Sequence, residues 1–440
     1  MRIIRFKLSP LCLLIATGLV NEAVCAELQV SDDDAIRQIA PATKSAVSLK
    51  SSILSAIGKS PQLAEIKSVM NVDHAQVAER KGAWLPQVFA NGASRDLATN
   101  DDSQSEAWGV SVTQLLYDFG KTTSAIKKAE MNVTVDEYKI EASLNDVADK
   151  VTTLYVRAKR YQALIDIANE NIVSLGNVEK LAKLRSGAGL STSSDVLQAE
   201  TRLIAMRTTL EDYRYQYALA MRQLAIETGI NASDLSGIPG EFNAALVPFN
   251  QNDFDKLPKV KVAIADKQSA EYSITQAKAG HMPTVSLRAE RAYGPDSSSS
   301  DSSSWDNHLT VNVSVPLYQG GIVTSQVDEA VGNVKSAEAR IQQARMDAQQ
   351  QIDSFFEDWK GAQARKTNSE SQLKAALNTR NVYRNEYTLN TRSLNDLLSV
   401  EQDVFQAQQA KTMATYDILQ AALSYSVSTN ALLKSLNIVP

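Results

Sequence analysis

The residues whose types could carry chemistry are few in this 440-residue chain, and they are badly spaced for it. His74, His281 and His308 are the only histidines, and no two have the close spacing of a metal site. Ser186-Gly-Ala-Gly189 has the outline of a phosphate turn. It lacks the preceding strand and the Lys-Ser/Thr ending that such a turn needs. Asp32-Asp-Asp34 could hold a cation, but nothing nearby supplies further ligands, so a solvated acidic loop is the simpler reading. No nucleophile elbow, Walker loop or zincin pattern occurs. No catalytic residue, cofactor or metal is expected, and the chain does not read as an enzyme. Two aspartates do stand out by context. Asp195-Val-Leu197 and Asp396-Leu-Leu398 each follow a turn, one holding Gly189 and the other Asn390. Glycine takes the left-handed conformation that closes a helix, and Asn is the next-best residue for it. Each aspartate then opens a new helix, where the macrodipole favours a carboxylate.

The elements around those turns occur twice. Tyr117-Asp-Phe-Gly120 opens an uninterrupted helical pattern that runs to the first turn, and Tyr318-Gln-Gly-Gly321 opens an equally long one that runs to the second. Equal lengths with few shared letters indicate a duplicated half-molecule under a geometric constraint. A period of about 200 residues is far too long for a solenoid unit. In the first copy Val147, Val151, Leu154, Ala158, Tyr161 and Ile165 continue a four-three alternation, the seam of a left-handed coiled coil. At 1.5 Å per residue, the helix predicted over 120–186 is ~100 Å long. The return helix over 194–228 carries the same alternation, with Ser194 or a neighbour as its cap. A tight turn between heptad helices gives an antiparallel hairpin. The second copy places a long helix at 320–389 and its return at 394–433.

Before each long helix the period drops to two. Val88, Ala90, Val110 and Val112 alternate with polar or small residues over 87–116, as do Val285, Leu287, Ala289, Leu309, Val311 and Val313 over 284–317. Each strand has the length a tilted strand needs to cross a bilayer. The predicted domains are therefore a first repeat over 27–230, a Pro- and Gly-containing linker over 231–257, and a second repeat over 258–440.

The remaining composition agrees with this reading. Only 6% of residues are aromatic and prolines number 11, the usage of long helices rather than of several compact cores. The net charge of −5 carries no basic stripe, which argues against a nucleic-acid partner. Arg2, Arg5 and Lys7, the apolar Leu11 to Val20, and Val24-Cys25-Ala26 form a secretory signal over 1–26. Both cysteines fall inside it, and Glu22-Ala-Val24 is the wrong lead for a lipidated Cys25, so neither disulfides nor a lipid anchor is expected. No later segment has ~20 consecutive apolar residues, which excludes a transmembrane helix but not a β-barrel. Four strands cannot close a barrel, and an open edge in lipid leaves backbone groups unpaired. Several chains must pool their strands, and twelve from three chains begin to leave a lumen.

The chain resembles the TolC family of outer-membrane export ducts over essentially all of its mature length. The resemblance rests on Trp84-Leu-Pro86 entering the first strand, on the exits Leu116 to Gly120 and Leu317 to Gly321, and on the paired turns Gly189 to Asp195 and Asn390 to Asp396. It implies an α+β membrane protein with an internal two-fold repeat, assembled as a homotrimer. A 12-stranded transmembrane β-barrel in outer-membrane lipid would continue into a long antiparallel α-helical barrel in the periplasm. A periplasmic adaptor and an inner-membrane transporter, either ATP-driven or proton-driven, would open its lower tip. The resemblance places Gly189, Ser194 and Asp195 at the tip of the first hairpin, and Tyr387, Asn390, Arg392 and Asp396 at that of the second. By analogy, Asp195 would bond Tyr387, and Ser194 would bond Arg392, as a latch between hairpins. The alternative is that Asp195 and Asp396 serve only as helix N-terminal carboxylates. Asp396 from three chains could also form an acidic ring, although Ser399 stands where the family often has a second Asp. His281 likewise stands where an aromatic is usual. The expected function is the exit duct of a type I protein secretion system. The alternatives are a small-molecule efflux duct and, in another class, a non-channel periplasmic coiled-coil adaptor or stalk.

Overall fold

A computed structural model describes residues 46–94, 106–238, 246–295 and 303–438. The signal over 1–26, Asp32-Asp-Asp34 and the middle of each hairpin loop lie outside the described residues. The order of elements is α1 (Leu49–Lys59), α2 (Pro61–Gly82), β1 (Gln87–Ser94), β2 (Glu106–Tyr117), α3 (Lys121–Gly187) and α4 (Ser193–Thr228). After a 3-10 turn at Gln251–Lys256 come α5 (Pro258–Lys278), β3 (Thr284–Pro295), β4 (Ser303–Ser314), α6 (Ile322–Thr388), α7 (Leu394–Ser428) and α8 (Leu432–Ser435). The long helices α3 and α6 have 67 residues each, ~100 Å of helix. They begin and end at the same constant offset, Gly120 to Gly321 and Gly189 to Asn390. Among the described residues, no helix is long and apolar enough to cross a membrane.

The four strands form one antiparallel sheet in the order β1-β2-β3-β4, so β1 and β4 are its edges. The register puts Val88 opposite Val112, Ala90 opposite Val110, Leu287 opposite Val311 and Ala289 opposite Leu309. One face is therefore largely apolar, interrupted by Gln114, Arg291 and Asn307, and Val88, Leu309, Val311 and Val313 on it are all exposed. The other face carries Ser111, Thr113, Arg288, Glu290, Thr310 and Asn312. Trp108, Tyr293 and Trp305 cluster on the apolar face near the loop end, with ring centroids 4.8 to 6.2 Å apart. Tyr117 and Phe119 pair edge-to-face at the helical end, with ring centroids 4.7 Å apart. An apolar band with aromatic residues at both rims is the pattern of a strand surface facing lipid.

Asp118 joins sheet to helix. Its carboxylate accepts from Gly120 N (3.2 Å) and Thr122 N (2.7 Å), capping α3 in place of a residue at the usual position. Phe119 (φ 53°) and Gly320 (φ 60°) hold the same left-handed turn in the two copies. Glycine adopts it without strain, whereas Phe119 does so with its ring packed on Tyr117.

Below the sheet, α3 lies between α4 and α7, with α6 beyond α7, and α2 and α5 flank the upper part of α3. The largest core cluster sits midway along the long helices. There Leu49 and Ile53 of α1 meet Val151 and Tyr155 of α3, Leu224 of α4, Leu423 of α7 and Leu432 of α8. The described parts of the linker are tied to the helices. Val47 bridges Leu235, and the Tyr155 hydroxyl lies 2.9 Å from Val47 O and 2.7 Å from Ser236 O. Arg345, which interrupts the apolar pattern of α6, forks onto Asp255 at 2.8 and 2.9 Å. Phe249, Phe254 and Leu257 pack there with Ile352 and Tyr425.

Candidate functional site at the helical tips

Both long hairpins turn in the same way. Leu190 N donates to Arg185 O (2.8 Å) and Thr391 N to Glu386 O (3.0 Å), the six-to-one bond of a Schellman closure. Gly189 (φ 72°) and Asn390 (φ 63°) occupy the left-handed position. The caps that follow are Thr192 and Ser393, not Ser194. Thr192 Oγ1 accepts from Asp195 N (3.3 Å), and the Asp195 carboxylate accepts in return from Thr192 N (3.4 Å). Ser393 Oγ accepts from Asp396 N (3.2 Å). A hydroxyl two residues before Ser194 reaches the third amide of the helix, which is the geometry a cap requires.

The predicted latch is not formed within the chain. The Asp195 carboxylate is engaged at its own helix start. Tyr387 is buried, and among the described residues its hydroxyl has no hydrogen-bond partner. Burial pushes the Tyr387 phenol up, with the Arg185 guanidinium opposing and the nearby Asp195 charge adding to the rise. Ser194 and Arg392 are not bonded to each other within the chain. Instead Arg392 stays on its own hairpin, donating to Glu386 (2.9 Å) and stacking 4.2 Å over the Tyr383 ring. The bond to Glu386 holds Arg392 above its ordinary pKa.

The two hairpins are joined by residues the sequence reading passed over. Arg185, at the end of α3, donates to Tyr387 O and to Asn390 Oδ1, and its guanidinium lies 4.5 Å over the Tyr387 ring. Further up, Glu401 of α7 is fully buried. It accepts from Arg384 Nη2 (2.5 Å) and from Ser174 Oγ of α3 (2.8 Å), with Arg380 at 3.8 Å. Leu175, Val178 and Ala182 of the first hairpin pack with Leu394, Leu397 and Leu398 of the second around them. A signal for both was present. Arg185 continues the seam Leu175, Val178, Ala182, and Glu401 continues Leu394, Leu398. A charge at a coiled-coil seam position calls for a partner across it.

Among the described residues, no group of three His, Cys, Asp or Glu is placed to hold a metal ion. The architecture defines a membrane channel subunit, with a lipid-facing sheet open at two edges and a pair of helical hairpins continuing it. The chain belongs to the outer membrane efflux protein family, which it matches over residues 53–229 and 255–428. It is 23% identical to the outer membrane protein TolC of Salmonella enteritidis over 407 residues, covering 84% of this chain and 79% of that one. It is 20% identical to the alkaline protease secretion protein AprF of Pseudomonas aeruginosa over 205 residues, 45% of this chain and 43% of that one. The solved structure of CusC shares the fold, with TM-score 0.80 at 16% identity, covering 89% of this chain and 96% of that one. The protein is thus an outer-membrane channel, not an enzyme, and the non-channel adaptor alternative is set aside. TolC-family proteins are homotrimeric channels that work with adaptors and inner-membrane pumps.

Proposed function

We propose that three copies of this chain form the exit duct of a type I protein secretion system. The observation that supports a duct is the four-stranded sheet with β1 and β4 at its edges and one largely apolar face. In lipid such edges must pair, and twelve strands from three chains would close around a lumen lined by the polar face. The six long hairpins would continue that lumen into the periplasm. Their tips, with Gly189, Ser194 and Asp195 on one and Tyr387, Asn390, Arg392 and Asp396 on the other, would form the gate that an adaptor and an inner-membrane ATP-driven transporter open. Asp396 from three chains would line its constriction and favour cations. Likeness to an alkaline protease secretion protein supports protein cargo. The family's own description supports small-molecule efflux as the second reading.

The deciding experiment removes the gene and compares culture medium with toxin tolerance. Loss of a particular large protein from the medium, restored by the gene, supports secretion. An unchanged set of secreted proteins with heightened sensitivity to small toxic compounds would replace that reading with efflux.

A further inference from the structure

We propose that Arg291 binds the phosphate of an outer-leaflet glycolipid of the lipid A class, with one such site on each protomer. The inference goes beyond the duct reading above and holds whichever cargo the duct carries. Three polar residues interrupt the lipid-facing side of the sheet, and they are not alike. Gln114 lies toward the helical end, where its amide donates to Trp84 O and Leu115 O. Arg291 and Asn307 are register partners on β3 and β4, and both are exposed. Among the described residues, Arg288 on the opposite face of β3 is paired with Glu290 at 3.2 Å. Arg291 has no such carboxylate among them, and its guanidinium lies instead over the Trp305 ring, 4.6 Å from the centroid.

Depth decides what this charge can meet. Along β3, Arg291 follows Val285, which pairs with Tyr117 at the helical rim. At ~3.3 Å per residue and a tilt of ~40°, its backbone stands about 15 Å up an apolar band about 25 Å tall. A cation at that level must carry its head to an interface. Trp305 shows which one. It pairs with Tyr293, nearer the loop end than Arg291, and Trp108 holds it edge-on with ring centroids 4.8 Å apart. The guanidinium is thus drawn up to the aromatic rim on the side away from the helices, where the headgroups of the outer leaflet lie. Stacked on an indole face, it keeps its N–H edges free, and a planar fork suits two oxygens of one phosphate. Asn307 adds an amide at the neighbouring register position. The phosphates of lipid A are the anions that this leaflet presents. Counted from Pro86 and Pro283, which precede β1 and β3, the counterpart of Arg291 in the first copy is Ser94. Each protomer therefore carries one site rather than two.

The test titrates delipidated, purified trimers with lipid A and reads bound lipid by native mass spectrometry, with trimer integrity checked by heat-modifiable migration. Arg291→Ala should weaken binding about tenfold or more, the loss of one charge-assisted bond. Arg291→Lys keeps the charge without the fork or the stack, and should fall between it and wild type. Lipid A stripped of its phosphates should bind the wild type no better than intact lipid A binds Arg291→Ala. Arg288→Ala, on the other face of the strand, should be silent. Should Arg291→Ala fail to assemble, Arg291→Gln, polar but uncharged, decides. Wild-type affinity in every assembled Ala or Gln variant overturns the site, as does equal binding of intact and phosphate-free lipid. Single-channel conductance of the same trimers reads the duct itself and should be unchanged by Arg291→Ala. A wild-type chain that forms no channel would overturn the duct reading, so the two failures are distinguishable.

Discussion

Glu401 offers the sharpest energetic test of how the lower hairpins are held. Its carboxylate is fully buried between α3, α6 and α7, yet both arginines facing it keep contact with water, 24% exposed for Arg380 and 40% for Arg384. Glu401→Ala removes the charge-assisted bond from Arg384, about 1.5–3 kcal/mol, and leaves Ser174 Oγ without its acceptor, about 1 kcal/mol. Breaking a wholly buried pair costs about 3–5 kcal/mol, and the exposure of the guanidinium groups argues for the lower part of that range. The expected local loss is ~3 kcal/mol, or ~100-fold at 1.4 kcal/mol per decade. Hydrogen exchange reads this directly, because local opening sets protection. Amides of α7 from Leu398 to Phe405 should exchange ~100-fold faster, while those around Tyr155, in a separate cluster, should not change. The companion variant is Arg384→Leu/Glu401→Leu, which removes both charges. It should lose less than the two single leucine variants summed, since neither charge is left facing an absent partner. Strictly additive losses, or a Glu401→Ala variant within threefold of wild type, would show that the carboxylate is not part of the joint.

Three further outcomes follow from other parts of the molecule. Tyr155→Phe leaves Val47 O and Ser236 O without their shared donor, and should speed exchange near both segments by roughly tenfold, a loss of about 1–2 kcal/mol. Burial holds the Asp149 carboxyl above its ordinary value of 3.8. The folded chain therefore keeps a proton that the unfolded chain releases as pH climbs above that value, and stability falls across the window. Asp149→Asn should flatten this fall in the trimer's thermal transition, measured from pH 4 to pH 7, and an unchanged slope would refute the assignment. In the sheet, a Cβ on Gly109 would meet Arg291 O at 2.9 Å, whereas one on Gly92 would meet nothing within 4 Å. Gly109→Val should cut the yield of heat-modifiable trimers in the outer membrane, and Gly92→Ala should not.

Periodicity made most of the architecture legible before any coordinates. The change from period two to a heptad seam located the sheet and both long hairpins, because lipid on one face and a neighbouring helix on the other leave different spacings in sequence. The tips were harder to read. Arg185 lies in the last turn of α3, where a cation on the helix dipole is the ordinary reading. Its partners Tyr387 and Asn390 are about 200 residues away, and no local pattern links them. Asp195 and Tyr387 do lie close enough for the carboxylate to influence the phenol, so the analogy found the right neighbourhood. Within the single chain the capping box at Thr192 engages that carboxylate instead. The linker over 231–257 was read from its prolines and glycines, which mark where helices end. They carry no record of the Tyr155 hydroxyl or of the Arg345–Asp255 fork that hold the segment.

The two charges buried at seam positions answer a problem that the apolar seam itself creates. Small and aliphatic residues repeating every seven positions pack almost as well after a slip of one heptad, ~10 Å along the axis. Such a slip between hairpins would be harmless in a free coiled coil. Here the upper ends of α3 and α6 run through Gly120 and Gly321 into strands of one hydrogen-bonded sheet, and their lower ends must meet at one level. A heptad slip would set Arg185 against the side of a helix, without free carbonyls, and would bury Glu401 away from Ser174 and Arg384. Either misplacement costs more than a seam of alanines and leucines can return. The equal length of the two copies is thus necessary but not sufficient for a flush tube, and the buried Arg185 and Glu401 supply the missing alignment.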